Sequence, residues 1–561
     1  MQECGVSVTS VPRVIAREVP PVSTPITTQT TAQPAVVSPL PIAPPVTRRS
    51  VSLAVLLGAV GAGISWTASA IPSYWFDEIA TVEAAHLAPA QLWELVQHKD
   101  IVHGIYYLII HGWIALFGDS PMAVRGFSAL AVGAGVAGMV ALGARLGNLR
   151  LGVIAALIFA IIPRTTFMGV EARSYALTTA IAVWAVVMLV VAARRNRWWL
   201  WGIYAIIMIV SIYLFMYGAL VLVAHAAYLL SRHRERRVLV PWALSTLLIL
   251  ISVIPLVVAG YGQRGQIAWI QGRPSLTFET IVMEPWLDKS WLLGICAVVV
   301  LGLAAIRIRW ILTGQGAPVV VLAAVWAFGP LLLIVIASLV FGPLFTPRYV
   351  SFTTPGFALL LALAVTVYSR RWITWILVAS LALAALPTFV AQRGPEGKGY
   401  GTDFQRIAAI MSRDAHPGDA FYLQRGDGGS LSTRLTIGGY PEAFQGLRDI
   451  AFLRSDLVDG YFDDQTVPPR DLGHRLDGVN TIWVAEKRTP TAEITSLIGI
   501  LHQRGFVARE RFWLSANVVV EYVRMPHRHS SSVAHDHAAP PIHRHTAALS
   551  EHPVTHGILG L

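Results

Sequence analysis

Two adjacent carboxylates, Asp77 and Glu78, stand in the run Ser73-Tyr74-Trp75-Phe76-Asp77-Glu78, just after the first long apolar stretch of the chain. Ionised groups where an apolar helix meets its interface are costly unless something uses them. An Asp or Glu partly desolvated at that depth has the chemistry of a general base that takes a proton from a hydroxyl. The alternative is a cap: Asp77 would start a short helix over 78–87, with negative charge favoured at its positive end. Asp100, His103, Tyr106 and Tyr107 follow in the same segment. His103 could donate to a phosphate oxygen, or anchor an interfacial helix beside the tyrosines. Glu171-Ala172-Arg173-Ser174-Tyr175 and Thr346-Pro347-Arg348-Tyr349 each put an arginine at the start of an apolar run. A guanidinium fork suits phosphate, so Arg173, Arg348 and His103 read as a candidate clamp. Glu171 or a lipid headgroup is the alternative partner of Arg173. Arg125 is a further candidate, with Asp119 as its alternative partner. Walker, GxGxxG, HExxH and GxSxG signatures are absent.

The elements that must hold these residues follow from composition. Of 561 residues, 55% are hydrophobic and 13% charged, against roughly 25% charged in soluble domains. Mean hydropathy is +0.58. A mainly α, polytopic helical membrane protein is the fold class this supports. Val51–Ile71 is a first span of about the 20 residues a bilayer needs. Others are expected near 121–143, 151–168, 174–193, 198–216, 218–231, 238–260, 291–306, 318–341, 350–368 and 372–391, about eleven in all.

Arginine sets the orientation. Arg48/Arg49, Arg145/Arg150, Arg194/Arg195/Arg197, Arg232/Arg234/Arg236/Arg237, Arg307/Arg309 and Arg370/Arg371 fill every second gap between spans. Those gaps are then cytoplasmic. The alternate gaps (72–120, 163–173, 213–218, 261–290 and 342–349) hold most of the acidic loop residues. This predicts a plasma-membrane protein with its N-terminus cytoplasmic and everything after about residue 392 extracytoplasmic. The segment 101–118 is apolar but would invert every later loop if it crossed, so it is expected to lie flat in the outer interface. The formal charge of +11 is on this reading a topological device, and no basic stripe interleaved with aromatics points to nucleic acid.

Residues 1–47 read as a disordered cytoplasmic tail and 48–392 as the transmembrane domain, with 72–120 as its outer loop. Residues 393–525 carry more charge and shorter apolar runs, as a small extracytoplasmic α/β domain would. Helices are expected at Phe404–Met411 and Ala492–His502, strands at Ala420–Leu423 and Thr481–Val484, and a closing hairpin from Phe512–Trp513 and Val518–Tyr522. Residues 526–561 form a Pro- and Ser-containing tail holding eight of the 17 histidines, without zinc-finger spacing. No metal ligands are assigned, and Cys4 and Cys296 define no redox or metal site.

The order of these short motifs resembles the GT-C superfamily of glycosyltransferases, and within it the protein O-mannosyltransferase-like and aminoarabinose-transferase-like group. The resemblance rests on Asp77-Glu78 after the first span and on the helix that begins His103-Gly104-Ile105-Tyr106-Tyr107 and ends Leu116-Phe117-Gly118-Asp119-Ser120. It continues through Ala123-Val124-Arg125, Glu171 to Tyr175 and Pro347-Arg348-Tyr349, and so covers about residues 50–390. Family members often carry His-Pro-Pro where this chain has His103-Gly104-Ile105. The resemblance implies a polyprenyl-phosphate-linked sugar as donor and inverting transfer on the extracytoplasmic face. The acceptor would be a hydroxyl of a glycan, lipoglycan or protein. It implies Asp77 as the base, Glu78 positioning the acceptor or assisting with a divalent cation, and Arg173, Arg348 and His103 on the departing phosphate. Tyr106, Tyr107, Tyr349, Glu171 and Arg125 would line the pocket. Mannose is the sugar the resemblance favours, with a pentose next. The competing reading is a transporter or flippase of polyprenyl-linked sugars, which would place ionisable groups near mid-bilayer in paired broken helices.

Overall fold

The computed structural model describes Ser10 and residues 47–525, apart from 233–235, 273–275, 307–315, 400, 426–431, 456, 458–461 and 463. The two tails expected at the ends of the chain thus lie, but for Ser10 and Thr47, outside the described residues. Each of the eleven segments expected to cross the membrane is helical, but they are not equally long. Arg48–Trp66, Pro121–Arg145, Tyr175–Arg195, Arg236–Gly262, Ala317–Phe341, Pro347–Thr366 and Arg371–Ala391 are, among the described residues, the seven long and apolar enough to cross unaided. Trp291–Ala305 makes an eighth only together with Glu279–Leu287, from which it is bent by 87°. Leu149–Ile161, Trp198–Leu214 and Met216–Arg232 are apolar but shorter. The chain breaks where an apolar count sees one run. Pro163 starts a new short helix, and Phe215 is extended before a 3₁₀ turn over Met216–Val221. The apolar helices make this a multi-pass membrane protein.

Helices in lipid pack through small residues, because the hydrophobic effect does not drive them together. Pro121–Arg145 and Leu149–Ile161 meet at Gly143 and Gly152, where a β-carbon on either residue would collide with the other's backbone. Arg48–Trp66 crosses Pro121–Arg145 in the same way at Gly58 and Gly133. The ends of these helices place three chemistry-bearing segments at one end of the bundle. These are 69–78 after the first helix, 169–174 before Tyr175–Arg195, and the 3₁₀ turn Pro347–Thr353. The segment expected to lie at the interface is a 3₁₀ turn, Ile101–His103, running into the helix Gly104–Phe117. It packs against the helix Phe76–His86 and buries Tyr106, Tyr107 and Ile110.

Beyond Ala391 the chain forms the expected α/β unit. Its strands are β1 Ala420–Leu423, β2 Arg448–Asp449, β3 Phe452–Arg454, β4 Gln465–Thr466, β5 Thr481–Lys487, β6 Phe506–Trp513 and β7 Asn517–Arg524. Five form one sheet in the order β2-β1-β5-β7-β6, and β3 pairs with β4. β5 runs parallel to β1 and antiparallel to β7, and the hairpin β6–β7 closes the sheet. The helices Phe404–Asp414 and Ala492–Gln503 complete it. This unit holds the segment leading to Asp77. Ser73 N–H donates to the Pro395 carbonyl at 3.0 Å, Tyr74 N–H to the Tyr440 hydroxyl at 2.9 Å, and Gln405 N–H to Ser73 Oγ at 3.1 Å. Gly438 abuts the Glu83 side chain, which would have to move to admit a β-carbon there.

Candidate active site

The two neighbouring carboxylates have opposite surroundings. The helix Phe76–His86 has Trp75 at its N-cap, with no side-chain cap, so Asp77 lies in its first turn and the alternative reading of Asp77 as the cap does not hold. Asp77 is buried, with Oδ2 at 3.2 Å from Arg348 Nη2 and 3.8 Å from Arg173 Nε. That oxygen makes no hydrogen bond among the described residues. Glu78 is fully enclosed and fully used. Arg125 Nε donates to Oε1 at 2.8 Å and Nη2 to Oε2 at 2.7 Å, a bidentate fork. Ala172 N–H adds a third bond to Oε1 at 2.9 Å. Arg125 also donates to the carbonyls of Ser69, Pro72 and Ser73, and lies over the Tyr74 ring. Its alternative partner Asp119 instead pairs with His86 at 3.2 Å.

The two arginines on Asp77 are held differently. Arg173 Nη1 donates to Tyr107 Oη at 3.0 Å, and that hydroxyl donates onward to Asp100 Oδ2 at 2.7 Å. Asp100 sits in a left-handed turn whose backbone N–H groups are bound by Gln266 and Gln263, which pins the relay to the 263–272 loop. Glu171 is not the partner of Arg173 by side chain. Arg348 lies in an aromatic cage, 5.0 Å from the Trp75 ring, 5.3 Å from Trp269 and 5.9 Å from Tyr349. Tyr349 itself stacks on Tyr217 at 5.2 Å. His103 is buried against Phe215, its Nδ1 without a hydrogen bond among the described residues, within the fields of Arg173, Asp77 and Arg348. Tyr106 is buried beside Ser128 with its ring tilted edge-on to Phe127. Asp77, Arg173, Arg348 and His103 therefore come together, with Tyr107 and Tyr349 in contact with the arginines. Glu78 and Arg125 form a separate closed clamp.

Beside Arg348 opens a cavity of about 290 Å³, lined by Trp75, Arg164, Glu171, Lys289, Arg348 and Lys398 among others. Glu171 is 1% exposed, and neither carboxylate oxygen has a hydrogen-bond partner among the described residues. Burial raises its carboxyl above the ordinary value, while Lys398 and Arg348 pull it back. Lys398 is 2% exposed; Nζ donates to the Phe167 carbonyl at 2.8 Å and lies over the Phe167 ring. Burial pushes its ammonium down to about 7, against the pull of Glu171 and Glu78. Composition and spacing did not single out Lys398, Arg164 or Trp75. One signal was available: Lys398 is one of only four lysines in a chain that otherwise uses arginine. Arg164 is fixed by Asp288 at 3.2 Å and by the Glu284 carbonyl at 2.8 Å. The donor set does not fit a divalent cation at Asp77, since two guanidinium groups face its free oxygen and Glu78 has none to spare. Among the described residues no three His, Cys, Asp or Glu side chains stand together as metal ligands.

Two outcomes follow. Glu78→Gln strands the Arg125 charge in a fully buried site, which costs about 3–5 kcal/mol. Thermal unfolding of the purified protein should show a clear fall in Tm, and an unchanged Tm would refute the structural role. Lys398 loses its proton near pH 7 when folded but near its ordinary 10.5 when unfolded. The unfolded chain therefore binds the extra proton between those values, so stability rises with pH across that window, and the burial penalty is fully present below it. Lys398→Met should flatten the rise in Tm between pH 7 and 9; equal slopes in both proteins would contradict it.

Comparison with known proteins bears on the fold these residues occupy. The profile described as dolichyl-phosphate-mannose-protein mannosyltransferase matches residues 105–258. None of the curated proteins compared matches the chain. Among solved structures, ArnT from Cupriavidus metallidurans, bound to undecaprenyl phosphate, superposes with a TM-score of 0.50 at 14% identity. That alignment covers 84% of this chain and 98% of ArnT. The oligosaccharyltransferase of Archaeoglobus fulgidus is a looser match, with a TM-score of 0.43 at 10% identity over 85% of this chain and 75% of that one. The fold is thus similar to that of ArnT, and residues 105–258 are similar to the mannosyltransferase profile.

Proposed function

We propose that this chain is a glycosyltransferase that moves a sugar from a polyprenyl-phosphate donor to an acceptor hydroxyl on the extracytoplasmic face, with inversion. One observation carries the reading: a buried carboxylate, Asp77, with an oxygen free of hydrogen bonds among the described residues, held between two arginines, one of which lines a cavity. The ArnT structure it superposes on contains undecaprenyl phosphate, a ligand of the class this reading requires. The buried ionisable groups gather at one end of the helix bundle, as a reaction at an interface needs. A transporter would place them mid-span.

In the proposed reaction the acceptor O–H gives its proton to the Asp77 carboxylate as its oxygen bonds the anomeric carbon from the face opposite the phosphate. The bond from that carbon to the phosphate oxygen breaks, and its electron pair leaves with the polyprenyl phosphate. Arg348 and Arg173 stabilise that oxyanion, and His103 is placed to donate to it; such preorganised charge is a large catalytic term. The arriving phosphate also competes with Asp77 for Arg348, 3.2 Å away. Donor binding then loosens the ion pair and frees the Asp77 oxygen for the acceptor. Mannose is the first sugar to test and a pentose the second. The acceptor is a glycan, lipoglycan or protein.

The test uses membranes or nanodiscs and labelled polyprenyl-phosphate sugars. Asp77→Asn should lower transfer by about 10²–10⁴-fold, the range of a lost general base, with little change in donor KM. Full transfer in correctly inserted Asp77→Asn protein would remove the base. Arg348→Ala should raise donor KM as well as lower kcat, and unchanged donor kinetics would take Arg348 out of the phosphate site.

A further inference from the structure

Glu171 lies in the cavity beside Arg348 and takes no part in the proton transfer or the phosphate contacts. An ionised carboxylate that is nearly fully buried is costly unless it is hydrogen-bonded, yet both of its oxygens are unbonded among the described residues. The nearest cations do not bond it. Lys398 Nζ is engaged by the Phe167 carbonyl and ring, and Arg348 by Asp77. Their fields favour the ionised form without filling its lone pairs, so Glu171 is left as a pure acceptor among the residues that line the cavity. A second buried group lining the same cavity is its complement: Trp75 Nε1–H, a donor with no acceptor among the described residues.

The charges around the cavity choose among ligands. A phosphate there would meet the Glu171 carboxylate. The other acids lining the cavity are already paired, Asp288 with Arg164, Glu284 with Lys289 and Glu396 with Arg406, so a metal cation or amine would meet Lys398 and Arg348. A neutral polyol adds no charge, and two neighbouring hydroxyls can donate to the two carboxylate oxygens while a third oxygen accepts from an indole N–H. We propose that Glu171 and Trp75 form a sugar-reading subsite that binds adjacent hydroxyls of a pyranose or furanose ring. This rests on the glycosyltransferase reading and deepens it by naming which residues read the sugar. The ring is that of the donor or the terminal ring of the acceptor, since both present the same hydroxyl chemistry.

The experiment titrates the full-length protein in nanodiscs with methyl glycosides of hexoses and pentoses and with their deoxy analogues, read by saturation-transfer NMR. Wild type should bind at least one glycoside and reject the analogue lacking the hydroxyl that Glu171 reads. E171Q should weaken that glycoside by about tenfold or more, as expected for hydrogen bonds to a charged group, and should discriminate less against the deoxy form. Because E171Q removes an unpaired buried charge, its Tm should not fall. W75F keeps an aromatic ring but removes the pyrrole ring with its N–H, and should weaken binding as well. In transfer assays E171Q raises the KM of the substrate whose ring is read, which separates donor from acceptor. Glycoside binding unchanged in E171Q overturns the proposal, as does wild type that binds none of the panel. Binding lost in E171Q along with its Tm, while W75F binds normally, overturns it too. Transfer that survives Asp77→Asn removes the base but leaves glycoside binding at Glu171 intact, so the two readings fail separately.

Discussion

The arrangement depends on one buried ion pair. Arg125, projecting from the start of a long apolar helix, enters a fully enclosed site and closes a bidentate fork on Glu78. Alone, either charge would be untenable there. Together they use nearly every lone pair and N–H, because Arg125 also binds three carbonyls of the 69–73 turn and Glu78 accepts from Ala172. Four segments distant in sequence are thereby fixed to one another: the end of the first helix, the helix carrying Asp77, the start of Pro121–Arg145, and the 169–174 loop. Asp77 is the next residue along, so its position is set by a bond it does not make itself.

The adjacent carboxylates show how a fold separates stability from reactivity. Glu78 is satisfied in every direction and 0% exposed; it contributes rigidity and has no oxygen left for a substrate. Among the described residues, Asp77 and Glu171 are left short of hydrogen bonds, as are Trp75 Nε1, His103 Nδ1 and Nε of Arg173 and Arg348. Groups of this kind weaken a fold unless something binds them. Their concentration around Arg348, beside a clamp with none, marks where the chain keeps binding capacity at the expense of stability. The relay from Asp100 through Tyr107 to Arg173 holds that capacity in place from behind.

Much of this was legible in the residues. The positions of Asp77, Arg173 and Arg348 beside apolar runs were enough to bring them to one place, because helix ends on one side of a bundle must converge. The α/β unit was legible for a similar local reason: Ala420–Leu423 is a strand over the whole expected range, and the closing hairpin extends the expected pairs at both ends. Span number was less legible, since an apolar run does not record where Pro163 or the extended Phe215 divides it into shorter helices. The different fates of Asp77 and Glu78 were not legible, because they depend on which face of one helical turn meets Arg125. Lys398 was hidden for another reason. It belongs to the connection into the α/β unit and reaches the cavity only through tertiary packing, with Gly399 in the left-handed region and pressed against Trp75.

The position of Arg348 links these features to a sequence of events. Its guanidinium is caged by Trp75, Trp269 and Tyr349, which hold a planar cation by its faces and leave its edges free for anions. Asp77 occupies one edge at a distance that is an ion pair but not a well-aligned hydrogen bond. Phosphate, with more charge and more acceptor oxygens, is the stronger partner for the same edge. In the proposed reaction, exchanging Asp77 for phosphate therefore requires no large movement of Arg348. It also couples two needs of the chemistry: the group that stabilises the leaving phosphate is the group that holds Asp77 until a donor arrives.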